Sequence, residues 1–76
     1  MSTQETVFDF VAKSYKLDSA DGLTLDTTFE SCGKESMKMI GLLAMIENEL
    51  DVEVPLRDGM NMKTIGELVE RVESEL

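Results

Sequence analysis

The chain has no histidine and no tryptophan, and only one cysteine, one proline and one tyrosine. Each scarcity removes a class of function. Without histidine there is no Ser-His or Cys-His catalytic pair. With only one cysteine as well, the usual zinc ligand sets cannot be assembled. A lone cysteine closes no internal disulfide, which excludes the disulfide-stapled secreted class. Positive charge is also scarce: 7 Lys and Arg against 16 Asp and Glu leave a net charge of −9. Such a surface disfavours nucleic acid and anionic membranes and favours basic protein partners. No apolar run approaches the length needed to cross a bilayer. Met1 to Glu5 has neither the basic nor the apolar region of a signal peptide. The expectation is a soluble, cytoplasmic, non-catalytic monomer, with no metal, no nucleic acid and no membrane insertion.

What is present reads as helix. The 76 residues allow a single domain, 1–76. In so small a core, stability must come from well-packed helices or a partner. Val7, Phe10, Val11 and Tyr15, with Phe8 widening the stripe, predict a first helix over Thr3 to Tyr15. Glu5 near its start and Lys13 and Lys16 near its end suit the helix dipole. From Lys16 to Glu35 the periodicity fails, and Asp18, Ser19, Asp21, Gly22, Thr24, Asp26, Thr27 and Thr28 are turn and cap formers. A loop this long in a small domain points either to a misassigned element or to a functional loop. Leu23, Leu25, Phe29 and Cys32 are its candidate apolar pins, with Cys32 read as a small buried hydrophobe.

A second helix is expected from Ser36 to Leu50, with Ile40, Leu43, Ile46 and Leu50 as its inner face, Met39 and Leu42 flanking, and Ser36 as its N-cap. Pro55 stops any helix before it and opens a short one over Arg57 to Met62, weakened by Gly59. Thr64-Ile65-Gly66-Glu67 reads as a capping box for the last helix. Its buried stripe is Ile65, Leu68, Val69, Val72 and Leu76. The predicted fold is all-α: a small four-helix bundle with three main helices, a short third helix and a long first loop.

The segment Gly33-Lys34-Glu35-Ser36-Met37, the acidic end Glu47-Asn48-Glu49-Leu50, and Val52-Glu53-Val54-Pro55 together resemble the acyl carrier protein family. That family shows Gly-x-Asp-Ser-Leu at the start of its second helix, then an acidic cluster, then an aliphatic-acidic-aliphatic-Pro tail. Asp26 to Gly33 resembles its loop, with Phe29 and Cys32 at the apolar positions, and Met62 to Leu68 resembles the entry to its last helix. The resemblance spans essentially the whole chain. It implies a non-catalytic carrier whose Ser36 is esterified by 4'-phosphopantetheine from coenzyme A, with Glu35 and Met37 flanking the site. A phosphopantetheinyl transferase makes that bond, and acyl-transferring or synthase enzymes are the further partners. No neighbouring base makes Ser36 a hydrolase nucleophile, and a helix N-terminus suits a phosphodiester. The resemblance also implies an acyl cavity, for which Val7, Phe10, Val11, Ile40, Leu43, Ile46, Val54, Met62 and Leu68 are candidates. Core packing accounts for the same residues without a ligand.

Two departures from the family pattern stand out. Glu35 and Met37 replace the usual Asp and Leu around the serine. The second helix, the family's partner-binding surface, is nearly neutral, because Lys34 and Lys38 offset Glu35, Glu47 and Glu49. The expected partner surface is Lys34, Met37, Lys38, Met39, Gly41, Ala44, Glu47 and Asn48, with weakened charge steering. The expectation is therefore a specialised carrier in fatty acid, lipid or polyketide biosynthesis rather than a primary fatty acid synthesis member. An aminoacyl or peptidyl carrier and an unmodified carrier-like interaction module are the competing readings. An enzyme or a calcium loop finds no suitable acidic constellation.

Overall fold

The computed structural model describes residues 2–76. It contains four helices: α1 (Thr3–Ser14), α2 (Ser36–Leu50), α3 (Leu56–Asn61) and α4 (Ile65–Glu75), with a 3-10 turn at Glu30–Cys32. Helix α1 packs on α2 and α4, and α3 packs on α2.

Helix α1 starts where Ser2 and Glu5 exchange hydrogen bonds. The Ser2 hydroxyl accepts from the Glu5 N–H, and the Glu5 carboxylate accepts from the Ser2 N–H, each at 3.1 Å. These bonds satisfy two donors that a helix start otherwise leaves unpaired. They also hold the Glu5 carboxyl below its usual pKa. The last helical residue is Ser14, one residue earlier than the spacing predicted, and Tyr15 is the C-cap. The Leu17 N–H reaches back to the Ala12 carbonyl at 2.8 Å, with Lys16 in the left-handed region at φ 57°. This closure satisfies the last carbonyls without a glycine.

The complete capping box is therefore at α1, where the sequence reading placed none. The box expected at α4 is half formed. Thr64 accepts from the Glu67 N–H at 3.2 Å, but the Glu67 carboxylate turns to the Lys63 N–H instead. The reason lies in the long loop, whose carbonyls meet the α4 N-terminus. The Ile65 N–H donates to Thr27 O and the Gly66 N–H to Leu25 O, both at 2.9 Å, and the Phe29 N–H donates to Lys63 O at 3.0 Å. Thr28 and Thr64 form an isolated bridge.

Of the four apolar pins, Phe29 is fully buried, and Leu23 and Cys32 are half-buried against the core. Leu25 is 42% exposed and is held by its carbonyl rather than its side chain. A Cβ on Gly66 would lie 2.7 Å from that carbonyl oxygen. Backbone cannot yield there, so Gly66→Ala is expected to destabilise by about 2 kcal/mol. A lowered urea midpoint with an unchanged slope would show it.

Helix α2 buries Met39, Leu42, Leu43 and Ile46. The predicted inner face is thus rotated: Ile40 is 51% exposed, and Leu50 is only half-buried. Residues 39–46 contain no charged side chain, so the stripe has no polar edge from which to read its phase. Gly59 on α3 is buried, and a Cβ there would come within 2.9 Å of Leu43 Cδ1 and 3.1 Å of Met39 Sδ. The glycine that weakens α3 locally is what lets it lie close on α2. Helix α4 buries Ile65, Leu68, Val69 and Val72, whereas Leu76, predicted in the same stripe, is exposed beyond the last helical residue.

Candidate functional site

Ser36 is exposed at the first helical position of α2. It was expected to be the N-cap, but the N-cap is Glu35, in extended conformation, and Glu35 provides no side-chain hydrogen bond. The shift follows from the approach of the chain. After the 3-10 turn, Gly33 takes a left-handed φ of 88°, and two residues later the backbone enters the helix. The helix's first backbone bond in this turn runs from the Met39 N–H to Glu35 O at 3.1 Å. The N–H groups of Ser36, Met37 and Lys38 precede it, where helices leave donors free and the dipole is positive. An exposed hydroxyl thus stands at an uncapped helix start.

The two lysines around it are turned inward. Lys34 Nζ donates to the Met60 carbonyl at 2.5 Å, in the last turn of α3. That contact satisfies a helix end and suits its dipole. Lys38 Nζ sits 5.8 Å from the centroid of the Tyr15 ring. Both were placed on the partner surface, and both are half-buried.

Two further partner-surface expectations need correction. Met39 is fully buried, because α2 turns that face to the core. Gly41 faces α1, where a Cβ would lie 3.2 Å from Ser14 Oγ. Its lack of a side chain serves this internal contact. The Ser14 hydroxyl donates to Lys38 O at 2.5 Å, which ties the end of α1 to the first turns of α2.

The exposed face of α2 shows Met37, Ile40, Ala44, Glu47 and Asn48. Met37 is 76% exposed and, with Ile40 and the 38% exposed Leu56, forms an apolar surface beside Ser36. Ile40, Ala44 and Leu56 line an open groove with Leu43, Glu47 and Val54. Ile40, expected in the cavity, thus lies at this groove together with Leu56, because the uncharged run 39–46 does not fix the phase of α2.

Of the remaining cavity candidates, Val7, Val11, Leu43, Ile46, Val54 and Leu68 share the buried core, with Phe10 and Met62 half-buried against it. They sit together because α1, α2, α4 and the Val52–Pro55 turn converge on one centre.

Beneath the loop that leads to Ser36 lies Tyr15. It is 2% exposed, its ring centroid is 5.9 Å from that of Phe29, and its hydroxyl has no hydrogen-bond partner among the described residues. Burial, then Cys32 and Glu35, push its pKa up to about 12. The phenol therefore stays protonated at neutral pH and is available as a donor.

An uncapped helix start is suited to a phosphate ester. Residues 5–72 match the family model described as "Phosphopantetheine attachment site". The chain is 34% identical over 53 residues to an acyl carrier protein of Clostridium perfringens strain SM101, covering 68% of this chain and 70% of that protein. It is 28% identical over 75 residues to an acyl carrier protein of Streptococcus thermophilus, covering 99% of this chain and 97% of that one.

Proposed function

The chain belongs to the acyl carrier protein family, and from that premise we propose that it carries an acyl-type intermediate on Ser36 for a specialised branch of fatty acid, lipid or polyketide biosynthesis. Members of this family are non-catalytic carriers with a covalently attached 4'-phosphopantetheine, and this chain is one of them. When bound, that group supplies a terminal thiol on which an acyl group is held as a thioester.

The chain's own residues present, orient and dock. Ser36 offers its hydroxyl as the attachment point to a transferase that brings coenzyme A. The Ser36, Met37 and Lys38 N–H groups favour the negative phosphodiester there. Glu35 and Met37 flank the serine and meet the transferase. Partner enzymes dock on Met37, Ile40, Ala44 and Leu56, with Glu47 and Asn48 at the edge. Aliphatic cargo is received by the core residues around Val7, Val11, Ile46 and Leu68.

The observation that carries the reading is the exposed Ser36 at an uncapped helix start, beside an apolar rather than acidic face. Ordinary steering relies on opposite charge. Here Lys34 and Lys38 are engaged internally, and beyond Glu35 the exposed side chains Met37, Ile40 and Leu56 are apolar, so a partner with an apolar contact patch fits better than a strongly basic one.

The test is intact mass after incubation with coenzyme A and a broad-specificity phosphopantetheinyl transferase, followed by loading with enzymes of a standard fatty acid synthase set. The expected result is a gain of one phosphopantetheine and elongation at least ten-fold slower than on a primary carrier. No mass gain would sink the carrier reading. Efficient elongation would remove the specialised role.

A further inference from the structure

Tyr15 has no place in the mechanism described so far. Its side chain is 2% exposed, and its hydroxyl is buried without a partner among the described residues. A buried hydroxyl left unpaired is destabilising, and phenylalanine would fill the same space without that cost. The Lys38 ammonium stands 5.8 Å from the centroid of the Tyr15 ring and would lie 3.5 Å from a Cβ on Gly33, which places the ring under the chain that leads to Ser36. Lys38, which covers the ring there, is a long and flexible side chain and only half-buried. The ring itself is held firmly, by Phe29 at 5.9 Å and by the neighbouring Ser14 hydroxyl bonded to Lys38 O. A fixed donor thus sits one side-chain layer below the attachment loop.

We propose that Tyr15 is the docking donor for the phosphopantetheine arm, its O–H giving a hydrogen bond to the first amide carbonyl of the arm attached to Ser36. The inference rests on the modification of Ser36 argued above. Tethering at Ser36 holds the arm at high effective concentration near the phenol. Of the arm's acceptors, those near the phosphate are within shortest reach of a group under Lys38, two residues after Ser36. The methyl-bearing carbons between phosphate and amide suit the apolar Cys32. The thiol end lies farthest from this contact, so docking here restrains the base of the arm and leaves the cargo free. Tyr15 is a positioning residue in this role.

The experiment compares the apo and modified forms of the wild type and of Tyr15→Phe, with modification verified by intact mass. In the apo form Tyr15→Phe is expected to melt at or above the wild-type temperature. In the modified form it is expected to melt below the wild type, by on the order of 4 °C. The chain's only tyrosine, with no tryptophan, gives a second reading. Modification is expected to move the wild-type near-ultraviolet band to the red as the phenol gains an acceptor. Equal melting differences in the two forms, or a band that does not move because a water already occupies the donor, would overturn the proposal. Absence of the mass gain would overturn the carrier reading together with it. A mass gain without the thermal and spectral changes would overturn this inference alone.

Discussion

Ser36→Ala is expected to abolish the gain of phosphopantetheine completely while leaving the fold intact. The two halves of this expectation have separate causes. Covalent attachment needs the hydroxyl, and no neighbouring hydroxyl stands in the same setting. Ser31 donates its hydroxyl to Thr28 O at 2.7 Å within the 3-10 turn, and Ser14 donates to Lys38 O between helices. Neither begins an uncapped helix. Stability is unaffected because Ser36 is not the N-cap: Glu35 is, and it makes no side-chain bond. Alanine at the first helical position is at least as good a helix former as serine, so the change in unfolding free energy is expected within about 0.5 kcal/mol. Intact mass and a urea titration on the same sample test both halves. A mass gain on Ser36→Ala would place the attachment elsewhere. A large loss of stability would return Ser36 to a structural role.

Phe29→Ala should have the largest effect on the fold. Phe29 is fully buried, packs its ring against Tyr15 at 5.9 Å, and is the deepest anchor of a loop otherwise held by the half-buried Leu23 and Cys32 and by backbone contacts to the start of α4. Truncating a buried phenylalanine costs about 3–5 kcal/mol. A domain this small has a total stability on the order of 5 kcal/mol. The variant is therefore expected to be largely unfolded at physiological temperature, with loss of helical circular dichroism and of modification at Ser36. A cooperative melt close to that of the wild type would show that the carbonyl contacts of Leu25, Thr27 and Lys63 hold the loop by themselves.

The elements whose polar and apolar residues alternate sharply were legible in the sequence. Val7 and Val11 on α1, and Leu68, Val69 and Val72 on α4, lie among charged neighbours, so each stripe has edges and its inward face follows from spacing alone. Pro55 marked the start of α3 because a proline accepts no preceding helix. The long loop was visible as a cluster of turn formers, and Phe29 as one of four apolar pins, of which the structure buries it most deeply. The serine at the start of α2 was visible because the family pattern surrounds it, although its place one residue inside the N-cap was not.

Other features were not legible, and they share a cause. The phase of α2 is undetermined by residues 39–46, since a run without charge allows either Ile40 or Met39 to face inward. Packing against α1 and α3 selected Met39, and Gly59 made room for it. The Glu67 side chain had two backbone donors within reach, and the loop's arrival at α4 directed it to Lys63 rather than Thr64. Lys34 and Lys38 read as free charge because nothing local shows that the end of α3 and the Tyr15 ring lie within their reach. The unpartnered Tyr15 hydroxyl is invisible to any pattern, since the same phenol on an open face would be hydrated.

The sequence by itself therefore determined the class of fold, the position of Ser36 where the second helix begins and the acidic, histidine-free composition, because these depend on composition and on spacing within one helix or turn. Only the tertiary structure decided which face of α2 is buried, which lysines are engaged and which polar groups go unpaired, because each of those depends on contacts between segments far apart in the chain.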